Sequence, residues 1–292
     1  MRVRRFLSAS LASLGIMLAA SLSACGAAGQ GLPAPGSPAP VAAPASSDAV
    51  ATSAETPSGA APAQQDAYEP TSWDASAYPE YYRVAGPAVV DGASSPDGAA
   101  AAQTAMSDPG LPKPGEVRYS RLDDLSRTQG VVAVVDHAMY EAARGHEAHF
   151  DKSDDPSGWG HNAKATIKAP NGHSYHGYFW NRSHLLADSL GGAAARDNVI
   201  TGTRMQNVGA NDGSGGMAYE ESRVRDWLDA HPDGTVYYAA TPAYVGDELV
   251  PRSVFVDVLT SDGQINDHVE VYNAAAGYDI DYATGEFSPA GE

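Results

Sequence analysis

The chain lacks features that define several classes of protein. Its 292 residues contain a single cysteine, Cys25, so no disulfide within the chain can stabilise the fold. After residue 22, no stretch approaches the ~20 apolar residues that a membrane-spanning helix needs. Lysine and arginine number 18 against 36 acidic residues, which is unlike the basic surface of an ordinary nucleic-acid-binding protein. The folded part must therefore be stabilised by burial of its core.

The N-terminus has the pattern of an export signal. A basic start that includes Arg2 and Arg4 precedes an apolar run from Phe6 to Leu22. The sequence Leu22-Ser23-Ala24-Cys25 resembles the lipobox of bacterial lipoproteins, in which the cysteine is lipidated. Residues 1–25 are therefore predicted to be a lipoprotein-type signal peptide, with the mature protein exported and held at the outer face of the membrane by acyl chains on Cys25. The alternative is a plain cleaved signal with an incidental thiol.

Residues 26–112 have the composition of a tether. Alanine, proline, glycine and serine dominate, and branched apolar residues are few, so burial could not offset the entropy of ordering them. The aromatic island Tyr68–Tyr82 interrupts this pattern, and we interpret it as a patch that packs loosely on the domain. Residues 113–292 are predicted to form one globular domain.

Hydrophobic patterning within the domain predicts an α+β fold with an antiparallel sheet at its core. The predicted helices are 131–143 and 217–230. A turn at Pro170-Asn171-Gly172 joins two predicted strands. The predicted strands are 163–168, 173–180, 199–203, 236–241, 254–260 and 269–272.

The acidic charge is distributed unevenly. From His161 to Arg225 there are seven Lys and Arg residues against five Asp and Glu residues, whereas from Asp247 to Glu292 ten acids accompany only Arg252. The region 161–225 also contains the residues that could act in catalysis or bind a metal ion. An acidic protein can therefore still present a weakly basic site, while the C-terminal acidity maintains solubility.

The tetrapeptide Asn181-Arg182-Ser183-His184 is the first candidate for a catalytic element. A neutral imidazole titrates near neutral pH and suits the removal of a proton from water. Arg182 can place two N–H donors on a phosphate oxygen. Taken alone, His184 could equally be a structural hydrogen-bonding residue, and Arg182 a surface ion-pair partner.

Glu221 is the second candidate. It lies at helical spacing from Met217, Val224 and Leu228, so it is expected on the inward face of the helix, where a carboxylate needs a partner or a metal. Arg225 follows one turn later, and an ordinary exposed Glu–Arg pair is the alternative.

Two asparagines complete the candidate set. Asn207 and Asn198 are each weak candidates when taken alone, because asparagine in a loop commonly stabilises a turn. A neutral carbonyl oxygen can, however, hold a hydrated Mg²⁺, which takes few protein ligands.

These blocks together resemble the DNA/RNA non-specific endonuclease family of the ββα-metal, or His-Me finger, class. The nearest likeness is to secreted streptococcal DNases and to competence-associated surface nucleases of Gram-positive bacteria. The resemblance spans about residues 119–285. It is carried by four blocks in order after Leu122–Arg127: Asn181–Asp188, Asn198–Thr203, Gln206-Asn207 and Glu221–Arg225.

The resemblance implies a role for each candidate. His184 corresponds to the general base, Asn207 to the protein ligand of a single Mg²⁺, and Glu221 to the carboxylate that holds metal-bound water. Arg182 and Arg225 correspond to phosphate-contacting arginines, and Asn198 to a second, orienting asparagine. The implied reaction is hydrolysis of DNA, and also of RNA, to products with 5′-phosphates.

One departure from the family pattern concerns the metal. The broad family motif reads Asp-Arg-Gly-His, whereas this chain has Asn181 and Ser183. The loss of the aspartate removes a negative charge near the metal, so weaker ion binding is expected. Mg²⁺ is the expected cofactor and Mn²⁺ the second candidate.

Two other functions fit parts of the sequence. A zinc peptidase acting on peptidoglycan could use His184 and Asp188 with His173 or His176, although the spacing Ser174-Tyr175 between the last two is not the usual His-x-His. A surface module that binds DNA or wall polymer without catalysis is the third hypothesis.

Overall fold

A computed structural model describes residues 68–145 and 149–291. The predicted signal peptide, Cys25 and the predicted tether up to residue 67 lie outside the described residues. Within the described ranges, no helix has both the length and the apolar character to cross a membrane.

A six-stranded antiparallel sheet forms the centre of the domain. Its strands are β1 Tyr82–Gly86, β4 Glu116–Tyr119, β5 Val131–Asp136, β10 Thr235–Ala243, β11 Ser253–Thr260 and β12 Asn266–Tyr272. Their order across the sheet is β1-β12-β11-β10-β5-β4, and every neighbouring pair is antiparallel. The three central strands β10, β11 and β12 are almost completely buried because helices and connecting segments cover both faces.

The predicted helix 131–143 is wrong over its first half. Residues Val131–Asp136 form strand β5, and only His137–Ala143 is helical, as α2. The run Val-Val-Ala-Val-Val is rich in β-branched side chains, which favour a buried strand. Asp136 then accepts a hydrogen bond from the backbone N–H of Met139 and caps the helix.

The folded structure begins well before residue 113, where the sequence placed the end of the tether. Strand β1 is an edge of the main sheet, and Tyr81, just before it, is 1% exposed. The short strands β2 (Val89–Val90) and β3 (Ala93–Ser94) and helix α1 (Ala99–Met106) follow. The composition of this segment did not indicate that a small number of its apolar residues are well buried.

Buried carboxylates hold this N-terminal segment on the sheet. The Glu270 carboxylate, fully buried on β12, accepts hydrogen bonds from the N–H and hydroxyl of Thr71 and from Arg83 Nε at 2.7–2.8 Å. Asp257 on β11 accepts from the hydroxyl of Tyr68 and the N–H of Val89. These bonds join residues 168 to 199 positions apart, so local sequence could not reveal them.

A second group of elements lies beside the sheet. Most of the predicted strands there are confirmed, but the predicted strand 173–180 is divided into β7 and β8. The following bounds apply: β6 Lys164–Lys168, β7 Ser174–Tyr178, β8 Trp180–His184, β9 Val199–Thr203, α3 Arg204–Val208, α4 Ala218–Ala230, β13 Tyr278–Asp281 and β14 Glu286–Pro289. The pairs β6–β7, β8–β9 and β13–β14 form two-stranded antiparallel ribbons.

Helix α4 packs on the main sheet as its predicted register requires. Met217, Val224 and Leu228 are at most 1% exposed. They belong to a core cluster with Val236 and Tyr238 of β10. This packing fixes the rotation of the helix, and with it the direction of Glu221.

Candidate active site

The site is built on a β-strand pair followed by a helix. Strand β8 pairs with β9 so that His184, the last residue of β8, lies opposite Val199. Helix α3 begins directly after β9, where the Thr203 hydroxyl caps it by accepting from the N–H of Gln206. Asn207 lies on this helix. The ββα arrangement thus brings together residues 184 and 207 through local connections.

Most of the predicted site residues line a cleft of about 420 Å³. Helices α2, α3 and α4 and the loop after β8 form its walls. His184, Asn207, Glu221 and Arg225 all line it, together with seven further residues: Tyr140, Ala143, Arg144, Gly145, Ala187, Asp188 and Ser189.

The imidazole of His184 lies in a largely apolar environment. Its Nε2 is buried and has no hydrogen-bond partner among the described residues. The ring of Phe150 lies 5.2 Å from it, measured between ring centroids. Burial lowers the pKa of His184, and the negative charge of Asp188 offsets part of this effect. The imidazole is therefore neutral at neutral pH, as a general base must be.

The side chain of Asn207 is held by residues of β8. The hydroxyl of Ser183 donates to Oδ1 of Asn207 at 3.1 Å, and Nδ2 of Asn207 donates to Oδ1 of Asn181 at 3.2 Å. Arg204 approaches the same Asn181 oxygen at 3.5 Å. The two residues that depart from the broad family motif therefore orient the amide, and Asn207 Oδ1 retains capacity for a further contact.

The environment of Glu221 strongly shifts the pKa of its carboxyl group. Burial raises the pKa of Glu221 to about 7, and the nearby positive charge of Arg225 opposes the shift. Arg225 itself is held by two hydroxyls, Ser189 Oγ and Ser222 Oγ, each at 2.9 Å. A perturbed carboxyl facing a cleft, next to a fixed guanidinium, is typical of a functional site.

Arg182 lies beside the cleft rather than in its lining. Its Nε donates to Oδ1 of Asp155 at 2.9 Å, and a second guanidinium nitrogen contacts the same oxygen. The guanidinium lies over the rings of Trp159 and Phe150, at 4.8 and 5.5 Å from their centroids. Because Phe150 also contacts His184, Arg182 and His184 share one face of β8.

Asn198 lies behind the site. It is fully buried, and its side chain bonds only to backbone: Oδ1 accepts from Leu186 N–H, and Nδ2 donates to the carbonyls of Leu186 and Ala193 at 3.0 and 2.9 Å. Its own carbonyl accepts from Leu185 N–H. Asn198 thus fixes the loop that follows His184.

The chain is similar to known proteins in both sequence and structure. The family model of the DNA/RNA non-specific endonucleases matches residues 115–286. A deoxyribonuclease of Streptococcus dysgalactiae subsp. equisimilis is 33% identical over 239 residues, covering 71% of this chain and 72% of the relative. The chain belongs to the DNA/RNA non-specific endonuclease family. A solved structure of Sda1 nuclease with a bound zinc ion is 34% identical and matches with a TM-score of 0.66, over 75% of this chain and 100% of that one.

Membership in the DNA/RNA non-specific endonuclease family confirms the resemblance and the predicted fold class. The protein is a mixed α and β structure with a large antiparallel sheet and a ββα unit. It is a metal-dependent nuclease, an enzyme of the phosphodiester hydrolase class.

The donor atoms of the endonuclease cleft suit a hard cation. Asn207 offers an amide oxygen and Glu221 a carboxylate, and no thiolate is present among the lining residues. Oxygen donors are what Mg²⁺ and Mn²⁺ prefer. Among the described residues, one cluster of three potential ligands lies elsewhere: His137, Glu141 and Asp229. Arg144 already pairs with both of its carboxylates.

The ligand set of the rival zinc peptidase does not form in this endonuclease. His173 and His176 are exposed on the β6–β7 ribbon, and His176 Nδ1 bonds to Thr166 Oγ1 at 3.0 Å. In the part of the chain that the structure describes, neither histidine shares a potential metal-ligand cluster with His184 or Asp188.

Several residues around the site were missed by sequence reasoning. Asp155, Phe150 and Trp159 surround Arg182 but precede it by more than 20 residues in a loop without regular pattern. Ser183 was noted in the sequence only as a departure from the family motif; its contact with Asn207 could have been expected, because strand alternation places it on the face of β8 opposite His184, towards α3. Arg144 carries no sequence signal that distinguishes it from other surface arginines.

Proposed function

We propose that this protein hydrolyses phosphodiester bonds of DNA, and also of RNA, with one Mg²⁺ and with His184 as the general base. The observation that carries the proposal is the convergence of a neutral imidazole, the amide oxygen of Asn207 and the carboxylate of Glu221 in one cleft. The relative from Streptococcus dysgalactiae carries the name deoxyribonuclease, which supports DNA as the principal substrate.

Each site residue has a part in the proposed reaction. His184 removes a proton from water, whose oxygen forms a bond to phosphorus as the bond to the 3′-oxygen breaks; the leaving oxygen takes a proton from solvent. The product end therefore carries a 5′-phosphate. A bound Mg²⁺ supplies positive charge that stabilises the phosphate in the transition state and the leaving oxygen.

The remaining residues hold the reactants in place. Asn207 would contribute an oxygen ligand to the ion, and the Glu221 carboxylate would hold water bound to it. Arg225, fixed by Ser189 and Ser222, donates to a phosphate oxygen. Arg182 extends the phosphate contacts along β8, and Asn198 keeps the loop after His184 in position.

The test is cleavage of plasmid DNA and RNA by the purified full-length protein, with Mg²⁺ and with EDTA. We expect cleavage with Mg²⁺, none with EDTA, and a loss of at least about 10³-fold in His184→Ala. His176→Ala, on the exposed ribbon, is the matched control and should retain activity. If zinc restored activity while plasmid DNA stayed intact, the result would support the peptidase hypothesis. If the protein bound DNA in EDTA without cleaving it, the result would support the hypothesis of a binding module.

We also propose that residues 1–25 are a signal peptide, that residue 25 is lipidated, and that the chain after it tethers an exported endonuclease domain to the membrane. The lipobox-like Leu22-Ser23-Ala24-Cys25 supports this proposal. The test is membrane fractionation and labelling with a radioactive fatty acid. Cys25→Ala is expected to lose the label and to appear in the soluble fraction; equal labelling of both proteins would refute lipidation at this position.

A further inference from the structure

Arg204 is held in a fixed position beside the ββα unit. It is the first residue of α3, and its backbone N–H donates to the carbonyl of Phe179 at 3.1 Å. Its guanidinium lies over the ring of Tyr175, 5.2 Å from the centroid, and donates to Oδ1 of Asn211 at 3.2 Å. In the part of the chain that the structure describes, six other arginines pair with carboxylates. The contacts of Arg204 are instead with neutral oxygens and an aromatic ring.

Two side-chain amides link Arg204 to the cleft. Nη1 of Arg204 donates to Oδ1 of Asn181 at 3.5 Å, and the same oxygen accepts from Nδ2 of Asn207 at 3.2 Å. The oxygen of the Asn207 amide, Oδ1, accepts from the Ser183 hydroxyl at 3.1 Å. The guanidinium, the two amides and the hydroxyl thus form one hydrogen-bonded series that includes Asn207, which lines the cleft.

Only one member of this series can decide which way the amides point. Turning an amide by half a revolution exchanges its oxygen acceptor and its N–H donors. The Ser183 hydroxyl is compatible with both orientations of Asn207, because a hydroxyl can donate or accept. A guanidinium has donors only, so the oxygen of Asn181 must face it. That oxygen in turn requires an N–H of Asn207, which leaves Oδ1 of Asn207 on the other side.

We infer that Arg204 is a positioning residue that fixes the orientation of the Asn181 amide and, through it, presents the oxygen of Asn207 to the cation. The inference rests on the proposed role of Asn207 as a ligand of the ion. Without Arg204, both amides could turn together and keep their mutual hydrogen bond. Asn207 would then present N–H groups, which repel a cation.

The same arrangement explains how this chain functions with asparagine where the broad family motif has aspartate. A carboxylate has an oxygen on each side, so it can accept from Asn207 in either orientation. The amide of Asn181 has only one oxygen, so it needs a neighbour that donates and cannot accept. Arg204 is that neighbour.

The first test measures ion binding in Arg204→Met, because charge and orientation predict opposite results. The loss of a nearby positive charge would by itself strengthen cation binding, whereas the loss of amide orientation weakens it. We expect Mn²⁺ to bind about tenfold more weakly to the full-length variant, measured without DNA by electron paramagnetic resonance of the free ion. Unchanged or tighter binding would overturn the inference.

Arg118→Met is the matched control for this measurement. Arg118 lies on β4, and its guanidinium donates to the backbone carbonyls of Gly110 and Leu111. The control should bind Mn²⁺ as the wild type does. If Arg204→Met did not fold, Asn181→Leu would remove the same link from β8 and should show the same tenfold loss; wild-type affinity in that variant would overturn the inference.

The second test is rescue by Asn181→Asp. In this background the acceptor no longer depends on Arg204, so Arg204→Met should change Mn²⁺ affinity by less than about twofold. A tenfold loss that persists there would show that Arg204 acts through the packing of α3 and would refute the orienting role. Failure of the proposed function looks different, because the wild type itself would then neither cleave DNA nor lose Mn²⁺ binding in Asn207→Ala.

Discussion

Arg182 and Asp155 form an ion pair at the edge of the candidate cleft, with Arg182 Nε 2.9 Å from Asp155 Oδ1. The pair is partly exposed, at 26% and 33% of the two side chains. A guanidinium that is expected to meet phosphate is therefore already engaged by a carboxylate. With the role that we propose for Arg182, DNA would compete with Asp155 for this guanidinium, and the competition would weaken binding of the polyanion.

Asp155→Asn should consequently tighten substrate binding. The change removes one negative charge from the DNA-binding side and releases Arg182, so we expect the KM for plasmid DNA to fall about threefold to tenfold with kcat little changed. Steady-state kinetics at fixed ionic strength would measure it. Asp279→Asn, an exposed charge elsewhere, controls for net charge. In the Arg182→Ala background the gain should disappear; a gain that persists there would show that Arg182 is not the group released.

Asn198→Ala should destabilise the protein by about 3 kcal/mol. The substitution leaves buried N–H and carbonyl groups of Leu186 and Ala193 without their partner, and this is among the costlier single changes. Urea unfolding measures the loss. Asn171→Ala in the exposed turn between β6 and β7 should cost less than about 1 kcal/mol. Equal stability of the two variants would contradict the role of Asn198 as the support of the loop after His184.

The Mg²⁺ requirement should depend on pH through Glu221. Its pKa is raised to about 7, mainly by burial, so below pH 7 a bound cation would have to displace a proton. We expect the Mg²⁺ concentration for half-maximal rate to rise up to about tenfold per pH unit below 7. Glu221→Gln should remove this dependence.

The rate at saturating Mg²⁺ should depend on the protonation of His184 instead of Glu221. Burial lowers the pKa of His184 below its usual 6.5, and only the neutral imidazole accepts a proton. The maximal rate should therefore hold through neutral pH and decline at a pH below 6.5. A decline centred above pH 7 would contradict the assignment of His184 as the base.

Glu220 should make the folded state less stable as pH rises. Burial raises its folded-state pKa to about 8 from an ordinary value of 4.5, against the attraction of Arg223. The folded protein therefore binds more protons than the unfolded chain between these values, and stability falls as pH increases from 4.5 to 8 by up to about 1.4 kcal/mol per unit. Urea unfolding at several pH values should show a weaker decline in Glu220→Gln. Parallel curves would mean that Glu220 is ionised in the fold.

Local pattern was sufficient for much of this protein. The strands at 199–203, 236–241 and 254–260 were predicted from β-branched and aromatic runs, and the register of α4 from its apolar spacing. The pattern failed at Val131–Asp136, where valines at spacings common to helix and buried strand were assigned to a helix. The pattern also failed before residue 113, because the many alanine and proline residues there gave no sign of the few residues that pack on the sheet.

The sequence by itself determined the chemical groups of the site and the ββα unit that brings His184 and Asn207 together, because these groups are separated by short, regular elements. Tertiary structure alone decided that Asp155 engages Arg182 and that burial shifts the pKa values of His184 and Glu221. Those properties depend on desolvation and on contacts between distant parts of the chain, which exist only once the core has packed.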